Sequence, residues 1–145
     1  MKRYLICLFF WLGLSGIVAA DCIQIDGETY CGKGKCVELK GKAYCASSVD
    51  GDAVLHKGRA YCGAGACMEK HGNIYCSQYP GGGIIKHNSS LWTGPGECTV
   101  HNGTAFCSNE TKGRCFSENG NLKCQGGWVR DLPKRAERCD RGERL

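Results

Sequence analysis

Residues 21–31 read DCIQIDGETYC, and residues 52–62 read DAVLHKGRAYC. The two lines match in frame, because each begins with Asp, has Gly at the seventh place and ends in Tyr-Cys. Asp26-Gly27 at the centre of the first line favours a two-residue turn, since both central residues of that turn need positive φ. Both lines therefore predict β-hairpins, and the second hairpin has Ala53 where the first has Cys22.

The same frame occurs six times along the chain, and each segment has glycine at the same place. These glycines are Gly27, Gly41, Gly58, Gly72, Gly103 and Gly120. A turn at that place puts the two cysteines of each hairpin opposite each other and pairs the residues beside them on the other face. The predicted pairs are Ile23–Tyr30, Val37–Tyr44, Val54–Tyr61, Met68–Tyr75, Thr99–Phe106 and Phe116–Lys123. Such cross-strand pairs contribute about 0.2–1 kcal/mol each.

The cysteine spacing C-x8-C-x4-C-x8-C groups these hairpins into units of two. We expect a small disulfide-rich all-β fold of three repeats of paired β-hairpins, stacked or paired into short antiparallel sheets. The predicted segments are hairpin repeat 1 at 21–46, hairpin repeat 2 at 52–77, a Gly/Pro-rich linker at 78–96, hairpin repeat 3 at 97–125 and a charged C-terminal tail at 126–145. The third repeat has seven residues rather than four in its middle gap.

Residues 1–20 are predicted to be a signal peptide. Lys2 and Arg3 precede an apolar run that is too short to span a bilayer, and the segment ends on small residues at Val18 and Ala20. The mature chain then begins at Asp21 and has no further apolar run of about 18 residues. We therefore expect a secreted, extracellular protein without a transmembrane segment.

Removal of Cys7 with this segment leaves twelve of the thirteen cysteines. An even number in a small exported chain predicts disulfide bonds. The predicted disulfide cysteines are Cys22, Cys31, Cys36, Cys45, Cys62, Cys67, Cys76, Cys98, Cys107, Cys115, Cys124 and Cys139. Zinc is the rival, but the short C-x2-C spacing typical of structural zinc is missing from the sequence, so we predict no metal and no cofactor.

Four cysteines in a unit allow three pairings: each hairpin closed on itself, outer with outer, or alternating. Because Ala53 replaces a cysteine, these pairings leave Cys62, Cys76 or Cys67 respectively without a partner. Cys139 is the one cysteine of the mature chain outside the repeats. We expect it to staple the tail to repeat 2, whichever pairing holds.

Three asparagines carry the acceptor pattern for N-glycosylation: Asn88, Asn102 and Asn109. All three fall on predicted loops or turns, which is where glycans attach. Lys134-Arg135 is a dibasic pair that a protease of the secretory pathway could cut, although a solvated basic turn is the interpretation we favour.

No catalytic constellation is visible in the sequence. None of the four histidines is placed beside a nucleophile and an orienting acid, and the glycine-rich joints lack the ending of a phosphate-binding loop. Trp92 and Trp128 lie outside the predicted hairpins, next to Gly and Pro, and are the candidate binding residues. The alternative is that these rings pack over the ends of the hairpins.

Without Lys2 and Arg3, the chain has 17 basic and 14 acidic residues, a net charge of +3. This mild charge speaks against nucleic-acid binding, and no basic amphipathic helix is visible. We predict a secreted, non-catalytic, effector-like virulence protein that binds an extracellular host or cell-surface protein or glycan. The alternatives are an antimicrobial or membrane-active toxin, a structural coat or matrix protein, and a hydrolase whose site the sequence does not reveal.

Overall fold

The computed structural model describes residues 21–145, so the predicted signal peptide lies outside the described residues. This part of the chain confirms the predicted fold class: it is all-β, with short antiparallel sheets and six disulfides. Between residues 21 and 145 there is no helix able to cross a membrane. Seven hairpins come first, and five two-residue strands follow them.

The first four hairpins are formed by β1 and β2 (Asp21–Ile25, Glu28–Gly32), β3 and β4 (Cys36–Leu39, Lys42–Cys45), β5 and β6 (Asp52–His56, Arg59–Gly63), and β7 and β8 (Cys67–Lys70, Asn73–Cys76). The next three are formed by β9 and β10 (Gly83–His87, Ser90–Gly94), β11 and β12 (Cys98–His101, Thr104–Ser108), and β13 and β14 (Cys115–Glu118, Asn121–Cys124). The final strands are β15 (Trp128–Val129), β16 (Lys134–Arg135), β17 (Glu137–Arg138), β18 (Asp140–Arg141) and β19 (Glu143–Arg144).

The hairpin turns have the predicted geometry. In the first hairpin Asp26 and Gly27 have φ of 52° and 81°, and the other five predicted turns also have two central residues of positive φ. All six predicted cross-strand pairs are present in the register of the strands. Each hairpin thus has a cysteine face and an opposite face, which we call the aromatic face.

A seventh hairpin, β9–β10, occupies the segment for which the sequence predicted a Gly/Pro-rich linker at 78–96. Its turn is Asn88-Ser89, with φ of 49° and 62°. Ile84 faces Thr93 at the places that cysteines take in other hairpins. The linker prediction was wrong because it relied on cysteines and on a central glycine, and this hairpin has neither.

With this hairpin included, the repeat is 31 residues long. The first cysteine position of the first hairpin is occupied by Cys22, Ala53, Ile84 or Cys115 in successive repeats. The same position of the second hairpin is occupied by Cys36, Cys67 or Cys98. The predicted repeat 3 at 97–125 therefore joins the second hairpin of one repeat to the first hairpin of the next. This explains its longer middle gap.

Hydrogen bonds between the loops follow the same period. The N–H of Gly34 donates to the carbonyl of Ala46 at 3.1 Å, and Gly65 and Gly96 make the same bond one and two repeats later. A Cβ at Gly34 would lie 2.5 Å from the carbonyl oxygen of Ser48, so only glycine fits between these loops.

The hairpins form successive layers, numbered 1 to 7 in chain order, with the aromatic face of one layer against the cysteine face of the next. Val37 of layer 2 packs on the buried Ala53 and Cys62 of layer 3. The core is small and consists mainly of alanine, cysteine and single aliphatic side chains. Disulfides therefore supply stability that apolar burial alone does not provide in so thin a stack.

Five hairpins close on themselves, as in the first of the three pairings. These disulfides are Cys22–Cys31, Cys36–Cys45, Cys67–Cys76, Cys98–Cys107 and Cys115–Cys124, each with a sequence separation of 9. The sixth disulfide joins Cys62 to Cys139 across 77 residues. The tail is thus stapled to layer 3, as the missing cysteine at Ala53 predicted.

Residues 128–145 form a strap that runs back over the layers in reverse order. Its strands pair with layers 6, 4, 3, 2 and 1 in turn, and a single bridge between Asp131 and Thr93 joins it to layer 5. The predicted charged tail at 126–145 is therefore a third strand for most layers. Layer 7 has two strands only.

A candidate interaction face along the strap

From Lys134 onward the strap repeats every three residues. Its triplets are Lys-Arg-Ala, Glu-Arg-Cys, Asp-Arg-Gly and Glu-Arg-Leu. In each triplet the first residue pairs with the second cysteine of a hairpin, and the arginine pairs with the tyrosine before that cysteine. Three residues span at most about 10 Å, which is the spacing of sheets packed face to face. The triplet period thus matches one step of the stack.

The third residue of each of the first three triplets lies between two layers. The N–H of Gly142 donates to the carbonyl of Ala43 at 2.9 Å, and Ala136 donates to Ile74 at the same distance. A Cβ at Gly142 would lie 3.0 Å from the Cβ of Ala43 in layer 2 and 3.5 Å from the Cβ of Tyr30 in layer 1. This position accepts small side chains, and in layer 3 it brings Cys139 to Cys62.

The second residue of each triplet places an exposed arginine on the aromatic face. We call these four residues the arginine ladder: Arg135, Arg138, Arg141 and Arg144. They lie opposite Tyr75, Tyr61, Tyr44 and Tyr30 respectively. The guanidinium of Arg141 lies 5.6 Å from the ring centre of Tyr44, a cation–π distance. Pairing between strap and hairpins therefore fixes a regular column of cations beside a column of rings.

The two tryptophans predicted from the sequence lie at the upper end of this column. The ring of Trp92 has the Arg130 guanidinium 4.3 Å above its centre, and the ring of Trp128 meets Phe106 edge-on at 5.0 Å. We call Trp92, Phe106, Trp128 and Arg130 the tryptophan cluster. Trp128 is 59% exposed, whereas Trp92 is half-buried within layer 5.

Asp131 anchors the strap beside this cluster. Its backbone exchanges two hydrogen bonds with Thr93, of 2.9 Å and 3.0 Å, and its carboxylate accepts a hydrogen bond from the Tyr79 hydroxyl. That hydrogen bond raises the pKa of Tyr79 above its usual value near 10.0. Leu132 follows, is 70% exposed, and lines a shallow pocket with Tyr75 and Leu91.

The three candidate glycosylation sites are all exposed. Asn88 and Asn102 are the first central residues of the turns of layers 5 and 6, with φ of 49° and 47°. These turns touch, because His87 Nε2 lies 2.8 Å from the carbonyl oxygen of Gly103. Asn109 lies in a loop, at the end of the layers away from the turns.

Most of the side chains considered as catalytic candidates make structural contacts in the described part of the chain. All twelve cysteines there are in disulfides, so none of them is a free nucleophile. Within residues 21–145 no group of three or more His, Cys, Asp or Glu side chains is arranged to hold a metal ion. His56 Nε2 lies 3.1 Å from the carbonyl oxygen of Gly72, which is a contact between turns.

Comparisons with protein families, curated proteins and solved structures found no match to this chain. The interpretation of the face therefore depends on its geometry.

The sequence analysis missed the arginine ladder. Arginine recurs at every third place from Arg135 to Arg144, and that period was the available signal. The sequence analysis predicted only a charged C-terminal tail at 126–145. A three-residue period differs from the periods of both helix and strand, so it indicates a segment that crosses equally spaced layers.

Proposed function

We propose that the protein is a secreted, non-catalytic, effector-like interaction protein that binds an extracellular protein or glycan through the face formed by the strap. Its six disulfides are typical of a chain that folds in an oxidising compartment, and the predicted signal peptide supports export.

The observation that carries this proposal is the tryptophan cluster. Exposed Trp and Arg are the residues that most often dominate binding energy at interfaces. Here Trp128 is more than half exposed, yet Phe106 and its pairing with Ser108 hold it in place. A large side chain that is both exposed and already ordered loses little freedom on binding.

A non-catalytic role is supported by the state of the reactive side chains. The cysteines are oxidised, and the histidines that make contacts bind backbone carbonyls or a neighbouring asparagine. A nucleophile–base pair held by a third group would be needed for hydrolysis by side chains alone.

The test is binding of the labelled mature protein to intact cell surfaces and to a panel of immobilised extracellular glycans. Replacement Trp128→Ala should reduce binding at least about tenfold, because loss of a central aromatic costs about 2 kcal/mol or more at many interfaces. Phe116→Ala is the matched control, since Phe116 is an exposed aromatic side chain (50%) in layer 7, which has no strap strand. Equal binding by both variants would count against the proposal.

A further inference from the structure

One position in each hairpin lies diagonally across from the strap arginine, on the aromatic face. It is the residue three places before the second cysteine. In layer 1 this residue is Glu28, whose carboxylate binds the Arg144 guanidinium at 2.9 Å. In layer 4 it is Asn73, whose side-chain oxygen accepts a hydrogen bond from Arg135 at 2.5 Å. The outer two arginines of the ladder thus have partners within the fold.

In layers 2 and 3 the same position is basic. Lys42 takes it beside Arg141, and Arg59 takes it beside Arg138. All four side chains are exposed, and across residues 21–145 no carboxylate lies within salt-bridge distance of any of them. We call these four residues the basic cluster.

The basic cluster is unfavourable for the fold by itself. Like charges on neighbouring positions of a sheet repel each other, whereas Glu28 shows that an acid fits the same place. The strap acids Glu137 and Asp140 pair with Cys62 and Cys45, and neither lies within salt-bridge distance of the basic cluster. The cation–π contact between Arg141 and Tyr44 offsets part of this repulsion, but no carboxylate of residues 21–145 does.

The backbone at the two arginines of the basic cluster is held in place before any ligand binds. Arg138 and Arg141 flank Cys139, whose disulfide to Cys62 ties the strap to layer 3. Strand pairing places both arginines opposite tyrosines. Binding an anionic group here therefore requires ordering of side chains but not of the strap backbone.

We propose that the basic cluster binds a linear polysaccharide that carries sulfate or carboxylate groups, laid along the strap. Planar guanidinium groups bind both kinds of anion through two parallel hydrogen bonds. The layers repeat about every 10 Å, close to the length of a disaccharide, so that one pair of cations meets one repeating unit. The tryptophan cluster at the upper end then offers a ring for a sugar to stack on. This inference rests on the proposed function and names the ligand class.

The extent of the positive charge favours an acidic glycan over a nucleic acid. Nucleic-acid binding usually needs a basic face that extends over much of a domain, whereas the basic cluster has four cations on a chain whose net charge is +3 without Lys2 and Arg3. An acidic peptide is disfavoured because recognition of extended peptides uses a free sheet edge or side-chain pockets. In layers 2 and 3 the strap pairs with the hairpin edge beside the basic cluster, and the hairpin edges left unpaired, β3 and β5, lie on the opposite side of each sheet.

The test compares two variants of equal net charge on immobilised heparin and on hyaluronan, with neutral dextran and single-stranded DNA as competitors. The first variant is Lys42→Gln/Arg59→Gln/Arg138→Gln/Arg141→Gln. The control variant is Lys33→Gln/Lys86→Gln/Lys112→Gln/Arg114→Gln, which removes four exposed cations outside the basic cluster. We expect the first variant to lose at least about tenfold in affinity and to show a weaker dependence of affinity on salt, and the control to change about twofold or less.

Heparin carries both sulfate and carboxylate groups, whereas hyaluronan carries carboxylate only. Binding to heparin without binding to hyaluronan therefore identifies sulfate as the recognised group, and binding to hyaluronan shows that carboxylate is sufficient. An equal loss in both variants, stronger competition by DNA than by acidic glycan, or no binding to either glycan overturns the inference. If both glycans fail while cell binding stays sensitive to Trp128→Ala, the ligand class is wrong and the proposed function stands. Non-reducing peptide mapping of each variant verifies that all six disulfides have formed.

Discussion

Layers 3 and 5 differ from the other five in how their hairpins are closed. Five layers carry their own disulfide, with Cα atoms 3.9–4.1 Å apart. Layer 3 has a fully buried Ala53 opposite Cys62, and layer 5 has Ile84 opposite Thr93. Both exceptions are the first hairpin of a 31-residue repeat.

In both exceptional layers the strap takes over the task of the missing disulfide. In layer 3 it does so covalently, through Cys62–Cys139. In layer 5 it does so by hydrogen bonds, since fully buried Thr93 binds Asp131 through its backbone and through Oγ1. Closure therefore shifts from a contact nine residues apart to contacts 38 and 77 residues apart. The strap also pairs with layers that keep their own disulfide, but its one disulfide within residues 21–145 is made in a layer that lacks a disulfide of its own.

The largest effect is expected from the double variant Cys62→Ala/Cys139→Ala. In the chain-entropy treatment a loop of 77 residues is worth about 4.5 kcal/mol, against about 2.7 kcal/mol for a hairpin loop. Guanidinium unfolding under non-reducing conditions should show this loss, and Cys115→Ala/Cys124→Ala is the matched control. Equal losses in both variants would show that the strap adds no long-range stability.

In layer 3 the stability lost with the Cys62–Cys139 disulfide can be partly restored. Ala53→Cys in a Cys139→Ser background restores a facing cysteine to layer 3. We expect the introduced thiol to form a disulfide with Cys62 and to recover about half of the lost free energy of unfolding, because the new loop is short. A free Cys62 thiol in this variant, detected by alkylation, would show that positions 53 and 62 do not face each other as the two cysteines of the other hairpins do.

The next effect concerns layer 5, where Ile84→Cys/Thr93→Cys should create the disulfide that this hairpin lacks. The gain is up to about 2.7 kcal/mol from loop closure, reduced by about 1 kcal/mol for the lost Thr93 hydroxyl bond. Thermal unfolding with and without reductant measures it. A variant that leaves both cysteines reduced would show that layer 5 departs from the common backbone geometry.

A smaller effect tests how tightly the strap fits apart from its disulfide. Gly142→Val places a branched side chain where even a Cβ lies 3.0 Å from Ala43 and 3.1 Å from the sulfur of Cys45. We expect a loss of about 1–3 kcal/mol, the usual cost of overpacking. Leu145→Ala at the equivalent place of the last triplet should change little, because Leu145 is 86% exposed. A neutral Gly142→Val would mean that the staple alone holds the strap.

Local patterns in the sequence were sufficient to predict six of the seven hairpins. Asn-Gly and Asp-Gly turns, with alternating side chains, set the register within ten residues. The odd cysteine count in repeat 2 predicted that Cys139 binds this repeat, but it left Cys62, Cys67 and Cys76 as possible partners, of which Cys62 is the one bonded. The aromatic–aliphatic pairs followed from the same register.

Non-local pairing could not be predicted in the same way. The hairpin around Asn88-Ser89 has neither a pair of facing cysteines nor a central glycine. Its place in the stack depends on Asp131, 38 residues beyond Thr93. The path of the strap depends on the layer spacing, which no single segment encodes. Trp92 and Trp128 were therefore selected as separate residues, and only the stack brings them to one face with Arg130.

The smallest expected effect tests the hydrogen-bonded closure of layer 5 by pH. The Tyr79 hydroxyl donates to Asp131, and this bond raises the pKa of Tyr79 in the folded state above its value of about 10 in the unfolded chain. The folded protein then holds this proton more tightly, so the stabilisation is fully present below about pH 10 and is lost as the pH rises through the folded pKa. The difference in unfolding free energy between the native chain and Tyr79→Phe should therefore shrink above that pH. If the difference in unfolding free energy between the two proteins stays constant from neutral to alkaline pH, Asp131 holds layer 5 through its backbone alone. The strap would then hold layers 3 and 5 by the same kind of backbone hydrogen bonds, and only the Cys62–Cys139 disulfide would distinguish layer 3.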